Sequence, residues 1–95
     1  KQRKNIKHVH HLYVVLAEHR DEFISRLKKD NIFCGIHYPV PGHLHGGYDK
    51  YCKIPNNNLP VTNYLASRVL TLPMYPELKL QEAKKISLKI NNILF

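Results

Sequence analysis

"HVHHLYVVLAEHRDEFISRLKKDN", residues 8–31, decides how this chain folds. Its first part, through Ala17, is rich in β-branched and aromatic residues. The apolar side chains fall on both alternating faces, with Val9, Tyr13 and Val15 on one and Leu12, Val14 and Leu16 on the other. Such a pattern predicts a central strand, covered on both sides. From Glu18 onward the spacing changes, and Phe23, Ile24 and Leu27 recur at helical intervals. Asp21 and Glu22 come early and Lys28 and Lys29 late, as the helix dipole favours, and Asp30 and Asn31 offer a stop.

Outward from that unit, IFCGIHY (residues 32–38) reads as a second, shorter strand. Pro39 halts it, because proline has no N–H for the ladder and holds its predecessor extended. HLHGGYDKYC (43–52) sets Leu44, Tyr48 and Tyr51 at helical spacing, but Gly46 and Gly47 each cost about 1 kcal/mol in a helix interior. Only a short, marginal helix is expected there, followed by a loop, IPNNNLP (54–60). After Pro60, VTNYLASRV predicts a helix with Val61, Leu65 and Val69 on one side, running into LTLP (70–73), a brief strand ended by Pro73. Leu80, Ala83, Ile86, Ile90, Ile93 and Leu94 then share one face of a final amphipathic helix that must lie on a sheet. The expected class is α+β, a short three-stranded sheet covered by helices.

With 95 residues the chain is expected to form a single domain, 1–95. Lys and Arg number 15 against 7 Asp and Glu, a formal charge of +8. That suits an acidic partner such as nucleic acid, anionic lipid or a diphosphate, and equally a surface that merely keeps the domain soluble. Cys34 and Cys52 are too few for a disulfide scaffold and too far apart for a C-x-x-C site, so a reduced, cytoplasmic protein is expected. No stretch approaches the roughly 18 apolar residues of a membrane span, and KQRKNIKH lacks the apolar core of a signal peptide. A basic start followed at once by a strand pattern suggests a fragment of a longer protein.

Seven histidines raise the question of metal. His8 and His10 share a strand face, His43 and His45 flank a leucine, and with Cys52 they could supply zinc ligands. No H-E-x-x-H, paired C-x-x-C or carboxylate cluster accompanies them, so no metal site is expected. Ser25, Ser67 and Ser87 lie in predicted helices and none sits on a G-x-S-x-G elbow, while Gly46-Gly47 alone does not make a phosphate loop. No catalytic residue is expected in this chain. Basic charge and six tyrosines could combine phosphate contacts with base stacking. The lysines are dispersed, however, and RNP, KH and helix-turn-helix signatures are missing, so a stand-alone basic nucleic-acid-binding module is kept only as an alternative.

The succession HHLYVVL, RDEFISRL, GIHYPVPGHLHGGY and LTLPMYPEL, in that order and spanning about His8 to Leu94, resembles the C-terminal end of the DegT/DnrJ/EryC1/StrS family of sugar aminotransferases. The resemblance implies the small C-terminal domain of a fold type I enzyme dependent on pyridoxal 5′-phosphate. In that case the large domain, with the Schiff-base lysine, lies outside this chain, and the chain alone neither binds the cofactor covalently nor turns over substrate. It further implies a cytoplasmic homodimer that moves an amino group, usually from glutamate, to a keto group of a nucleotide-linked deoxysugar, for cell-surface polysaccharide or a glycosylated product. A sugar dehydratase with the same cofactor, His replacing Lys, is the alternative within the fold.

By that resemblance, His37, Tyr38 and His43 are the substrate-binding candidates. A strand ending at Pro39 projects its last side chains from the sheet rim, and the X-Pro restrictions stiffen the turn that follows. Imidazole and phenol can both donate hydrogen bonds to anionic oxygen. Adjacent strand residues normally point to opposite faces, so His37 and Tyr38 meet one ligand only if the strand twists at its end. A purely structural role stands beside each: Tyr38 packed in a domain interface, His37 capping a neighbouring element, His43 likewise. Arg20 and Asp21 match the family's RD pair but suit a helix start, and LTLPMYPEL suits a structural strand and turn. His45 stands where the family often has Gln, Asn63 where an acid is frequent, and Lys79 where Thr or Ser would cap the last helix, with Glu82 still three residues on.

Overall fold

A computed structural model describes residues 4–48, 51, 53, 54 and 59–94, the side chain of Leu94 excepted. Two strands form its sheet: β1, Tyr13–Leu16, and β2, Val69–Leu72, antiparallel, with Tyr13 opposite Leu72 and Leu16 opposite Val69. The segment after α1 (Arg20–Lys29) meets β2 in a single bridge, Gly35 opposite Thr71. The expected three-stranded sheet is therefore two strands and one bridge among the described residues, and β2, not β1, holds the middle place. Prolines explain the shortening. Pro73 ends β2 after four residues, leaving β1 nothing to pair with before Tyr13, and Pro39 stops the bridging segment. His10 adopts φ 49, so the strand expected from His8 begins only at Tyr13.

Three helices complete the order: α1, α2 (Pro60–Ala66) and α3 (Leu80–Leu94). The α1 helix ends as its sequence predicts, and the mechanism is a Schellman motif. Ile32 N–H donates to the Leu27 carbonyl and Asn31 N–H to the Lys28 carbonyl, both at 3.0 Å, while Asn31 takes the left-handed conformation, φ 58. Leu27 and Ile32 then meet in the core. Asn31→Ala should cost about 1 kcal/mol, because a Cβ without a local hydrogen bond is disfavoured there, and lower Tm by about 4–8 °C in thermal circular dichroism. A variant melting with the wild type would refute this role. At the start of α3, Lys79 N–H donates to Glu82 Oε2 at 2.9 Å, which is half of a capping box.

Opposed residues of an antiparallel pair share a face, and successive residues alternate. One sheet face thus carries Val15, Leu70 and Leu72, and it packs against Phe23 and Leu27 of α1 and Ile86, Ile90 and Ile93 of α3. Leu27 and Leu70 are fully buried. The other face carries Val14, Leu16 and Thr71; Val14 is 46% and Leu16 53% exposed. Cover on both sides of β1, expected from its composition, is not found in the described chain. Val61 and Leu80 also stay 70% and 71% exposed, although their spacing suggested buried helix faces.

The short helix α2 buries no residue and is held by two arginines instead. Arg20, its side chain 12% exposed, donates from one guanidinium nitrogen to the Ala66 carbonyl and from Nε to Asp21. Arg68 stacks on Tyr64 at 4.0 Å from the ring centroid and donates to the Tyr64 carbonyl. Both suit a helix C-terminus, where carbonyls lack intrahelical partners. Arg68 also pairs with Glu18 at 3.0 Å, and its hydrogen bond holds the Glu18 carboxyl below its ordinary value of 4.5. A lowered carboxyl pKa stabilises the fold above the ordinary value, and the contribution disappears as pH falls through the folded one. The Tm gap between wild type and Glu18→Gln should accordingly be open at neutral pH and close on acidification; a gap independent of pH would contradict the pairing. No helix among the described residues is long and apolar enough to cross a membrane.

Candidate functional site

The stretch GIHYPVPGHLHGGY, residues 35–48, leaves the Gly35 bridge and crosses the sheet edge. It contains one 3₁₀ turn, Gly42–Leu44, in place of the marginal helix expected over 43–52; of that span, residues 49, 50 and 52 lie outside the described residues. Gly46 and Gly47 sit in the turn that follows, consistent with their cost in a helix interior.

His37 lies over β2, on the sheet face away from the helices. Its Nδ1 is 2.9 Å from Thr71 Oγ1, and its ring stands edge-on to that of Tyr38, with centroids 5.7 Å apart. The two side chains are therefore neighbours, as a shared ligand would require. Tyr38 is 75% exposed, which excludes a core role for the ring within the described chain. His43, half-buried in the 3₁₀ turn, donates from Nε2 to the Asn63 side-chain carbonyl oxygen at 2.9 Å. The chain of support runs from Arg20 through the C-terminus of α2 to Asn63 and so to His43.

Tyr38 and His43 line one open concavity with Pro39, Val40, Gly42, His45 and Tyr48. Its volume of about 750 Å³ falls within the range of small-molecule sites. The walls are mainly apolar and aromatic with a few imidazoles, a composition that can cover a ring and hydrogen-bond an oxygen. His37 does not line it; it stands beside Tyr38 at the rim.

The sequence does not mark Thr71 and Asn63 as partners of the two histidines. Thr71 belongs to the expected strand LTLP, and Asn63 stands out only as a departure from the family's acid. No local signal could have found them, because each lies far along the chain from the histidine it meets. Among the described residues no three His, Cys, Asp or Glu side chains converge as metal ligands; Cys52, a suggested ligand, lies outside them. The rings of His8 and His10 lie 4.6 Å apart and tilted by 48°, with the His10 backbone N–H donating to His8 Nδ1. Burial pushes the Cys34 thiol up, the opposite of an activated nucleophile.

A family model described as the DegT/DnrJ/EryC1/StrS aminotransferase family matches residues 1–91. A dTDP-3-amino-3,4,6-trideoxy-alpha-D-glucose transaminase of Micromonospora megalomicea subsp. nigra is 41% identical over 73 residues, 76% of this chain and 19% of that protein. A UDP-N-acetyl-3-dehydro-alpha-D-glucosamine 3-aminotransferase of Acidithiobacillus ferrooxidans is 33% identical over 87 residues, 92% of this chain and 23% of that protein. The crystal structure of DesV of S. venezuelae in complex with a ketimine intermediate superposes with a TM-score of 0.79 at 35% identity, over 87% of this chain and 22% of that one. The chain thus spans about a fifth of the length of the curated relatives it matches.

Proposed function

Because the chain belongs to the DegT/DnrJ/EryC1/StrS aminotransferase family, we propose that it is the small C-terminal domain of an enzyme that aminates a keto group of a nucleotide-linked sugar. Glutamate is the donor in this reading: its CH–NH₂ becomes the C=O of 2-oxoglutarate while the sugar C=O becomes CH–NH₂. The observation that supports a ligand-facing role for this domain is Tyr38, 75% exposed, beside His37 and on one concavity with His43. Those three residues are the substrate contacts, with the imidazoles and the phenol donating to diphosphate or sugar oxygens.

The family implies pyridoxal 5′-phosphate, which would supply the electron sink for amino transfer. A Schiff-base lysine needs a desolvated amine of lowered pKa. Every described lysine is exposed except Lys89, and that one is paired with Asp30 at 2.7 Å. These residues do not fit the cofactor lysine, so no step is routed through the cofactor here. We assign it to the part of the relatives' length that this chain does not span. A cytoplasmic dimer making an aminosugar for a polysaccharide or a glycosylated product completes the reading.

The test is an assay of the complete polypeptide with glutamate and a dTDP- or UDP-linked ketosugar. Release of 2-oxoglutarate together with the aminosugar is expected, and the 95-residue chain alone should give neither. Loss of water from the sugar without amino transfer would move the assignment to the dehydratase.

A further inference from the structure

We propose that Thr71 and Gly35 are positioning residues that hold the His37 imidazole as an Nε2–H donor toward an anionic ligand oxygen. The ligand part rests on the function proposed above; the positioning part does not. Gly35 and Thr71 exchange both backbone hydrogen bonds, Gly35 N–H to the Thr71 carbonyl at 3.0 Å and Thr71 N–H to the Gly35 carbonyl at 2.8 Å. Side chains opposed in this way share a face, and residue i+2 returns to it. His37 is therefore brought back over Thr71 by the register itself.

Two further observations converge on the ring. Gly35 has no positive φ, so its backbone does not call for glycine. The reason for glycine is space: a Cβ there would stand 2.7 Å from His37 Cε1, closer than carbon atoms approach. Any larger residue would push the imidazole off Thr71. Thr71, for its part, is 7% exposed, and a buried hydroxyl proton needs an acceptor. His37 Nδ1 is the acceptor within reach, and among the described residues the Thr71 side chain has no other hydrogen-bond partner. With the hydroxyl donating to Nδ1, the neutral ring carries its proton on Nε2. A donor is what a phosphate oxygen requires. His37 itself is exposed, so that nitrogen can be reached.

The first measurement is the tautomer, read from the side-chain ¹⁵N shifts of His37 in the labelled complete polypeptide at a pH where the ring is neutral. Wild type should show an unprotonated Nδ1 and a protonated Nε2. Thr71→Val, close in shape but without the hydroxyl, should drift toward the mixture of free imidazole, Gly35→Ala should do the same, and Thr71→Ser should restore the wild-type pattern. A proton found on Nδ1 in the wild type would overturn the positioning, and so would a Thr71→Val ring unchanged in its shifts. The second measurement is kinetics of the complete enzyme. Thr71→Val should raise KM for the nucleotide sugar by about 3- to 10-fold with kcat nearly constant, and Thr71→Ser should reverse it. An unchanged KM beside an altered tautomer removes the ligand role alone. Absence of amino transfer in the wild type defeats the proposed function and leaves the tautomer result standing.

Discussion

Leu27→Ala is expected to remove a large share of the domain's stability. Leu27 is fully buried and enters the core from the last turn of α1, where it also receives the packing of Ile32. Its truncation removes both transfer free energy and the contacts lining the resulting void, about 2–5 kcal/mol. A chain of this size has roughly 5–14 kcal/mol of total stability, and here the described core is only Ala17, Phe23, Leu27, Ile32 and Leu70. Neighbours on one side of a single sheet have little freedom to close the cavity. Thermal unfolding should shift down by at least about 10 °C. Leu88→Ala, on a residue 64% exposed, is the control and should change stability by no more than about 0.5 kcal/mol. Equal melting of the two variants would mean that the core lies elsewhere.

The second large effect is at the site. On the proposed function, His37→Ala in the complete polypeptide should lower kcat/KM for the nucleotide sugar by about 10- to 150-fold, the value of a hydrogen bond to a charged group. Because a diphosphate contact is made equally in the ground and transition states, the loss should appear in KM with kcat little altered. Stability should suffer much less than in Leu27→Ala, since His37 is exposed, although the freed Thr71 hydroxyl is left to water. A variant with wild-type KM would show that His37 serves only to cover β2. A collapse of kcat at unchanged KM would instead place it at the reacting atoms.

Much of the helical framework was legible from periodicity. Periodicity sets Phe23, Ile24 and Leu27 on one stripe of α1, with Asp30 and Asn31 as its stop, and Leu80, Ala83, Ile86, Ile90, Ile93 and Leu94 on one face of α3; of these Phe23 and Leu27 lie in the core, and Ile24, Ile86, Ile90 and Ile93 pack against it. Val61 and Leu80 show where the same reasoning fails. Their spacing is right for an apolar face, but in the described chain they stay 70% and 71% exposed. Periodicity reports which side chains are apolar and on which side they stand. It carries no information on whether another element arrives to cover them. The same gap turned β1 from the expected central strand into an outer one, with Val14 and Leu16 exposed.

The candidate site divides along the same line. His37, Tyr38 and His43 are candidates through the resemblance of residues 35–48 to the family's motif, whereas the stiffness of the turn follows from proline geometry, a property of the local chain. That Thr71 holds His37, that Asn63 holds His43, and that Arg20 anchors the helix carrying Asn63 depends on contacts across 34, 20 and 46 positions. The local motif supplied the candidates through its resemblance; the register of β2 against the Gly35 segment and the docking of α2 decided their orientation. Separations of that kind are set by strand pairing and side-chain packing in three dimensions, which no local pattern of residues encodes.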